Sequence, residues 1–308
     1  MVSNTSRTEP VYMKTALVTG AAGLIGRHFS NYLLAQGWSV QEIDIKYRHR
    51  DAREYFCQID TPSYDLVVHC AAHVGGRLDI ENRAACIGAY NVQLDGAMFE
   101  WAIRTQPAHI IYWSSSAAYP ISLQIEPMAV GLLESDIDVS WPEPADFTYG
   151  WAKLVGERLA QEAAAEGLRV HVFRPFSGWA DDQDVSYPVG AFIERARRRA
   201  DPFEVWGDGE QVRDFIHVSD IIGATMAAIE QDYPGPLNLC TGVPTSFNTL
   251  AELVTSAAGY QPRLQHHLDK PQGVRYRVGD PTELHKVWVP QVSLEDGIRA
   301  ALAPAVRG

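Results

Sequence analysis

One short stretch constrains the chain more than any other. The apolar run Ala16-Leu17-Val18-Thr19 is followed at once by Gly20-Ala-Ala-Gly23-Leu-Ile-Gly26, and apolar residues then recur at helical spacing to Leu34. That order reads as strand, tight turn and helix. Glycines placed so have physical jobs: Gly20 makes the turn, Gly23 lets backbone approach a pyrophosphate, and Gly26 lets helix and strand pack closely. Leu24 and Ile25 lie at the helix start, where free amide N–H groups and the positive dipole end favour an anion. Asp44 follows the second apolar run, 18 positions beyond Gly26, where a carboxylate accepts hydrogen bonds from ribose hydroxyls. The pattern points to a bound dinucleotide, NAD in preference to NADP, because Asp44 repels a 2′-phosphate; Lys46, Arg48 and Arg50 are the residues that would offset that repulsion. Asp60, after Ile59, is a candidate for the adenine amino group or a simple loop cap.

Further strands are expected at Val40 to Ile45, Leu66 to Val68, Ile110 to Trp113 and Arg169 to Phe173, with long helices at about 80–104 and 149–165. Strands alternating with helices predict an α/β fold with a parallel sheet covered on both faces. The expected division is a polar tail at 1–13, a nucleotide-binding domain at 14–175 plus about 212–243, and a smaller α/β substrate-binding cap at about 176–211 and 244–308. In the last third, helices are expected at 218–230, 249–258, 281–287 and 294–303, and a strand at 236–240.

Composition narrows the function. With 46% apolar and 21% charged residues the chain can bury a large core, and a net charge of −12 gives no footprint for nucleic acid or an anionic membrane. No run approaches the roughly 20 apolar residues of a membrane span. Cys57, Cys70, Cys86 and Cys240 form no CxxC pair, which suits a reducing cytoplasm, and no cluster suggests a metal. Small and apolar residues on the two long helices allow a helix-paired homodimer.

The chemistry sits on Tyr149-Gly-Trp-Ala-Lys153, which puts a phenol and an ammonium on one helix face. Ser114-Ser115-Ser116 stands at the end of the fourth strand, the end of a parallel sheet where ligands bind. A cation beside a phenol stabilises the phenolate, and such a group can take a proton from a carbinol as hydride leaves.

With these segments, together with Val67-Val68-His69-Cys70-Ala71-Ala72, Arg174-Pro175-Phe176 and Arg213-Asp-Phe-Ile-His-Val-Ser-Asp220, the chain resembles the extended short-chain dehydrogenase/reductases of the nucleotide-sugar epimerase and dehydratase family. The resemblance runs from Lys14 to Ala303 and implies a Rossmann-type doubly wound sheet. It implies that Ala71 and Ala72 line NAD, that Asn91 supports the site, that Ser115 is the catalytic hydroxyl with Tyr149 and Lys153, and that Arg213 grips the diphosphate of a nucleotide sugar with Arg275 as a second clamp. His73-Val-Gly-Gly-Arg77, Trp141-Pro-Glu-Pro144 and Gln272-Gly-Val-Arg-Tyr-Arg277 are similar to the GDP-mannose 3,5-epimerase and GDP-fucose synthase branch, which places His73, Ser116, Ser177 and Tyr187 at the sugar. That branch carries a cysteine acid/base where this chain has Ala117, and its second acid/base position falls on Tyr187. The dehydratase and decarboxylase acids are replaced by Ser116 and Ala117. What the resemblance leaves is oxidation at C4 and return of the hydride, hence C4 epimerisation. A 3,5-epimerase using substitute groups, a net 4-oxidoreductase and a catalytically idle sugar-nucleotide sensor are the other readings.

Overall fold

The computed structural model describes residues 13–47, 50–125 and 131–303. Of the expected tail it includes Met13 alone, and Arg48 lies outside the described residues. In chain order the elements are β1 (Thr15–Thr19), α1 (Leu24–Ala35), β2 (Ser39–Ile43), α2 (Ala52–Phe56), β3 (Leu66–His69), α3 (Arg77–Asn82), α4 (Ala84–Thr105), β4 (Ile110–Trp113), α5 (Phe147–Ala165) and β5 (Val170–Pro175). They continue with β6 (Ser177–Trp179), α6 (Pro188–Arg197), β7 (Phe203–Trp206), β8 (Val212–Arg213), β9 (Phe215–His217), α7 (Val218–Glu230), β10 (Leu237–Leu239), β11 (Thr245–Ser246), α8 (Phe247–Ala257), β12 (Leu264–His267), β13 (Tyr276–Arg277) and α9 (Leu294–Leu302).

Six strands form the main sheet in the order β10-β5-β4-β3-β1-β2, every pairing parallel. The strands are apolar on both faces, so alternate residues feed two cores. Ala16, Val18, Val68, Ile111 and Phe173 pack under α1 and α7, while Leu17, Val67, Ile110, Tyr112 and Val172 pack under α2, α4 and α5. Each such buried side chain contributes about 1.5–3 kcal/mol relative to exposure. A third core, around Trp179, Phe192, Phe203, Leu250, Val254 and Ile298, is built from β6, β7, β9, α6, α8 and α9 beyond the carboxyl ends of the main strands.

Two expectations change. The helix expected over 80–104 is two helices, broken at Arg83, whose backbone sits at φ −127°, ψ 29°. Helix α3 buries none of its residues, so ion pairs of Arg77 set its direction, and an apolar period could not reveal the break. The helix expected at 281–287 is a single 3-10 turn, Leu284–Lys286.

A larger difference lies at the sheet edge. The common dinucleotide-binding order places a strand outside the second one. Here α2 returns directly to β3, so β2 is the edge and borders an open groove of about 900 Å³.

At the opposite end of the sheet from the glycine turn, Nδ1 of His109 lies 3.0 Å from Nε2 of His171. Burial, then the field of His109, pushes His171 down from 6.5 to about 4. A histidine held neutral this way binds its proton more readily in the unfolded chain. Stability is therefore expected to fall as pH drops from about 6.5 to about 4, and His171→Gln to flatten that slope in thermal melts. An unchanged slope would exclude the pair as its source.

Candidate active site

The glycine turn is a cradle that side chains would fill. Gly20 has φ +66°, and a Cβ there would lie 2.6 Å from the Cys70 carbonyl and Ala71 nitrogen; a Cβ on Gly26 would overlap the Gly20 carbonyl oxygen. Gly23 begins α1 without a side-chain cap, and the first turn carries no acidic residue. These amides are therefore available to a pyrophosphate, which fits a dinucleotide. Asp44 sits directly beneath: its carboxylate accepts from Ala22 N–H at 3.0 Å and Lys46 N–H at 2.8 Å, with lone pairs left for hydroxyl donors.

Asp60 is not brought to this site. The apolar stretch before it is α2 followed by an exposed loop, with Ile59 at 82% exposure, and the loop runs to the start of β3, where Asp65 N–H bonds to Thr15 O at the foot of β1. Its neighbours Gln58 and Thr61 are held by Arg104 and Trp101 in the last turns of α4, the helix that leads to the start of β4, so Asp60 lies away from Asp44 and the glycine turn. The residues that do surround Asp44 were not singled out from the sequence. Arg53 holds Asp51 through both carboxylate oxygens and stacks 4.1 Å from the Tyr90 ring, which feels the charges of both Asp51 and Asp44. Their only sequence signal was the count of residues after β2.

Around the Ser115 hydroxyl the backbone is fixed from several sides. Ser115 Oγ accepts from Ala117 N–H at 3.1 Å and opens a 3-10 turn in which Ser116 and Ala117 are buried. Asp146 N–H bonds to the Ala117 carbonyl at 3.0 Å, and Gly150 packs on that same carbonyl, so the start of α5 docks on the serine turn. This sets the first turn of α5, with half-buried Tyr149, against the turn that Ser115 opens, and buried Lys153 follows one helical turn on. Asn91 is fully buried and clamps the strand-end loop: its Oδ1 accepts from His73 N–H at 2.7 Å and its Nδ2 donates to His73 O at 3.0 Å. The His73 ring meets Tyr90 edge-on, and Ala71 and Ala72 lie half-buried between the glycine turn and this loop.

Tyr187 closes the site from the third core. Burial, then Tyr149, pushes its phenol up to about 12. Asp182, tied to Arg27 and His28 of α1, anchors the segment leading to it. Ser177 opens β6, its N–H bonded to Asp214 O where the main sheet meets the third core.

Three guanidiniums gather across from Tyr149. Arg213 donates to the carbonyls of Val212, Val274 and Gln272 and lies 5.7 Å from the Phe247 ring centroid. Burial pushes its guanidinium down to about 9, assisted by Arg277 and Arg77. Arg77 and Arg277 share Asp146, with bonds of 3.0–3.1 Å and 2.7 Å. Arg275 is not part of this group: it pairs with Asp208 at 2.9 Å and is 38% exposed. The strand β13 carries Arg277 inward instead, and Arg77 joins from the first turn of α3; neither was chosen from the sequence. Two of these guanidiniums share the buried Asp146 carboxylate, Arg77 also reaching Glu81, and Arg213 lies in the field of both and of Asp146, so three cations meet two carboxylates here in a chain of charge −12.

Among the described residues no helix is long and apolar enough to cross a membrane, and no group of three or more His, Cys, Asp or Glu could hold a metal ion.

Comparison with known proteins agrees with this architecture. GDP-mannose 3,5-epimerase 1 of Oryza sativa subsp. indica is 29% identical over 305 residues, covering 92% of this chain and 79% of that protein. GDP-L-fucose synthase 1 of Arabidopsis thaliana is 27% identical over 299 residues, covering 91% and 90%. Among solved structures, MoeE5 in complex with UDP-glucose and NAD superposes with a TM-score of 0.79 at 26% identity, covering 94% of this chain and 97% of that one. UDP-glucose 4-epimerase of Thermotoga maritima with UDP-glucose gives 0.76 at 25% identity, covering 94% and 97%. The sequence model of the NAD dependent epimerase/dehydratase family matches residues 16–240, and with the glycine cradle and the Tyr149–Lys153 helix it shows that the chain belongs to that NAD-dependent family.

Proposed function

We propose that this protein is a nucleotide-sugar epimerase that inverts C4 through a transient 4-keto sugar. The observation that supports the reading is the docking of α5, the helix of Tyr149 and Lys153, on the turn of Ser115 and Ala117, the last a side chain that cannot transfer a proton. Gly20 to Gly26 and Asp44 would hold NAD, which when bound would supply a hydride acceptor at the sugar carbon and the donor for the hydride's return. Ser115 holds the sugar hydroxyl, Tyr149 takes and returns its proton, and Lys153 places positive charge beneath the phenol. Arg213, Arg77 and Arg277 hold the diphosphate, leaving the sugar free to present its other face when the ketone forms. The ligand proposed is a purine diphosphate sugar. Exposed Val92 and Ile103 of α4 and Trp151 and Val155 of α5 support a homodimer through these helices.

A second reading, epimerisation at C3 or C5, is favoured by one observation: Tyr187 stands within the field of Tyr149 and can serve as a second proton-transferring group. One experiment separates the readings. The protein, without added cofactor, is incubated with GDP-, ADP-, UDP- and dTDP-sugars in deuterium oxide and followed by NMR. Inversion at C4 with its hydrogen retained is expected. Deuterium at C3 or C5 would sink the C4 proposal, turnover only with added cofactor would indicate a net oxidoreductase, and tight NAD binding without any turnover would indicate a sensor.

A further inference from the structure

On the Tyr112 side chain that Lys153 approaches sits a buried carboxylate that the chemistry above leaves unused. Asp95, on α4, is 1% exposed. Its Oδ1 lies 3.2 Å from Nε2 of His69 on β3, and its Oδ2 accepts from the Tyr112 hydroxyl on β4 at 2.7 Å. The other nitrogen of His69 lies 2.9 Å from the hydroxyl of Thr19, the residue before the glycine turn, and that hydroxyl accepts from Ala71 N–H at 3.3 Å. Lys153 is itself 3% exposed, with Nζ 5.2 Å from the centroid of the same Tyr112 ring. Gly156, one turn along α5, keeps this volume open: a Cβ there would overlap the Tyr112 hydroxyl and lie 2.9 Å from Asp95 Oδ2. Five elements thus deliver a carboxylate and an ammonium into one water-poor space.

The electrostatics agree. Burial works against ionisation of Asp95, yet Lys153 foremost, with His69 and the Tyr112 hydroxyl, holds it below the ordinary carboxylate range. Burial and the Asp95 charge push the Tyr112 phenol well up, so it remains a donor; Glu157 and Tyr149 also act on it. Cys70, facing Lys153 from the strand-end loop, is pushed up to about 12 by burial. A buried ion whose partner is removed is strongly destabilising, so a carboxylate at this place has a task.

We propose that Asp95 is the counter-ion that positions Lys153 under Tyr149, and that the His69–Thr19 link ties this pair to the glycine turn, setting cofactor cradle and proton-transfer groups in one register. Its kinetic part rests on the reading of Tyr149 and Lys153 as the working pair; its structural part does not. The test is a cycle of Asp95→Asn, Lys153→Met and the double variant, followed by thermal unfolding, with kcat and KM measured across pH on Asp95→Asn and Tyr112→Phe. Each single replacement is expected to lower Tm, and the double to recover part of the loss, so the effects do not add. Asp95→Asn is expected to lower kcat about ten-fold and move the acid limb of its profile to higher pH, with KM changed less than about three-fold. Tyr112→Phe, which removes a hydrogen bond and no charge, leaves the limb in place. Additive losses in Tm, or an unmoved limb in Asp95→Asn, overturn the proposal. If Asp95→Asn does not fold, a folded double variant supports the pair and an unfolded one overturns it. If the wild type turns over no nucleotide sugar, the proposed function fails, while the Tm cycle still decides the pair.

Discussion

Tyr149→Phe is expected to reduce turnover about 10²–10⁴-fold, the range lost with a general acid or base, while NAD remains bound and the fold is unchanged. The hydroxyl is the only atom removed. Docking of α5 depends on Asp146, Gly150 and the Ala117 carbonyl, and the cofactor cradle depends on Gly20 and Gly26, none of which touches that oxygen. Steady-state kinetics with the sugar found in the NMR screen, alongside the nicotinamide content of the purified protein, check both halves. A near-normal rate would assign the base elsewhere, with Tyr187 the next to test. Loss of NAD together with activity would mean that Tyr149 acts on the cradle.

The second large effect is expected at Glu157. Its carboxylate receives Nε and Nη2 of Arg174 at 2.9 and 2.7 Å and a bond from Ser114, and the two charged side chains are only 2% and 1% exposed. Arg174 also reaches the Glu134 carbonyl at 2.8 Å and the Tyr119 hydroxyl at 3.3 Å, and Tyr119 donates to Asn238 on β10 at 2.6 Å. The network joins the serine strand end to the last strand of the sheet. Burial works against the Arg174 charge, and Glu157 more than restores it. Glu157→Gln leaves that guanidinium buried without its counter-charge, a loss of about 3–5 kcal/mol. At roughly 2–3 °C per kcal/mol for a chain of this size, Tm should fall by about 6–15 °C. A fall under about 2 °C would mean that water or relaxation replaces the pair.

The sequence showed most plainly those parts of the site that local backbone physics dictates. Gly20 and Gly26 announce themselves because no side chain fits where they stand, and Tyr149 and Lys153 because helical spacing alone puts them on one face. Asp44 was legible as the residue after the second strand. Asp60 misled because an apolar stretch before an aspartate looks the same whether it is a strand rising to the binding end or, as here, a short helix and a loop leading back to the foot of the sheet. The choice between Arg275 and Arg277 was equally invisible, since one lies just before β13 and the other ends it, and sequence does not show that Asp208 draws one outward and Asp146 the other inward.

What the sequence determined by itself is therefore the parallel sheet, the glycine cradle and the phenol–ammonium helix, since each follows from contacts within a few tens of residues. Tertiary structure alone decided which cations meet: Arg77 and Arg277 come from distant segments to share Asp146, Arg213 from a third to lie in their field, and no local period records that convergence. It likewise decided that Asp95 and Lys153 both meet the Tyr112 side chain. A buried charge is tolerated only where a partner from elsewhere in the chain arrives, and that pairing is a property of the packed core and of no single segment.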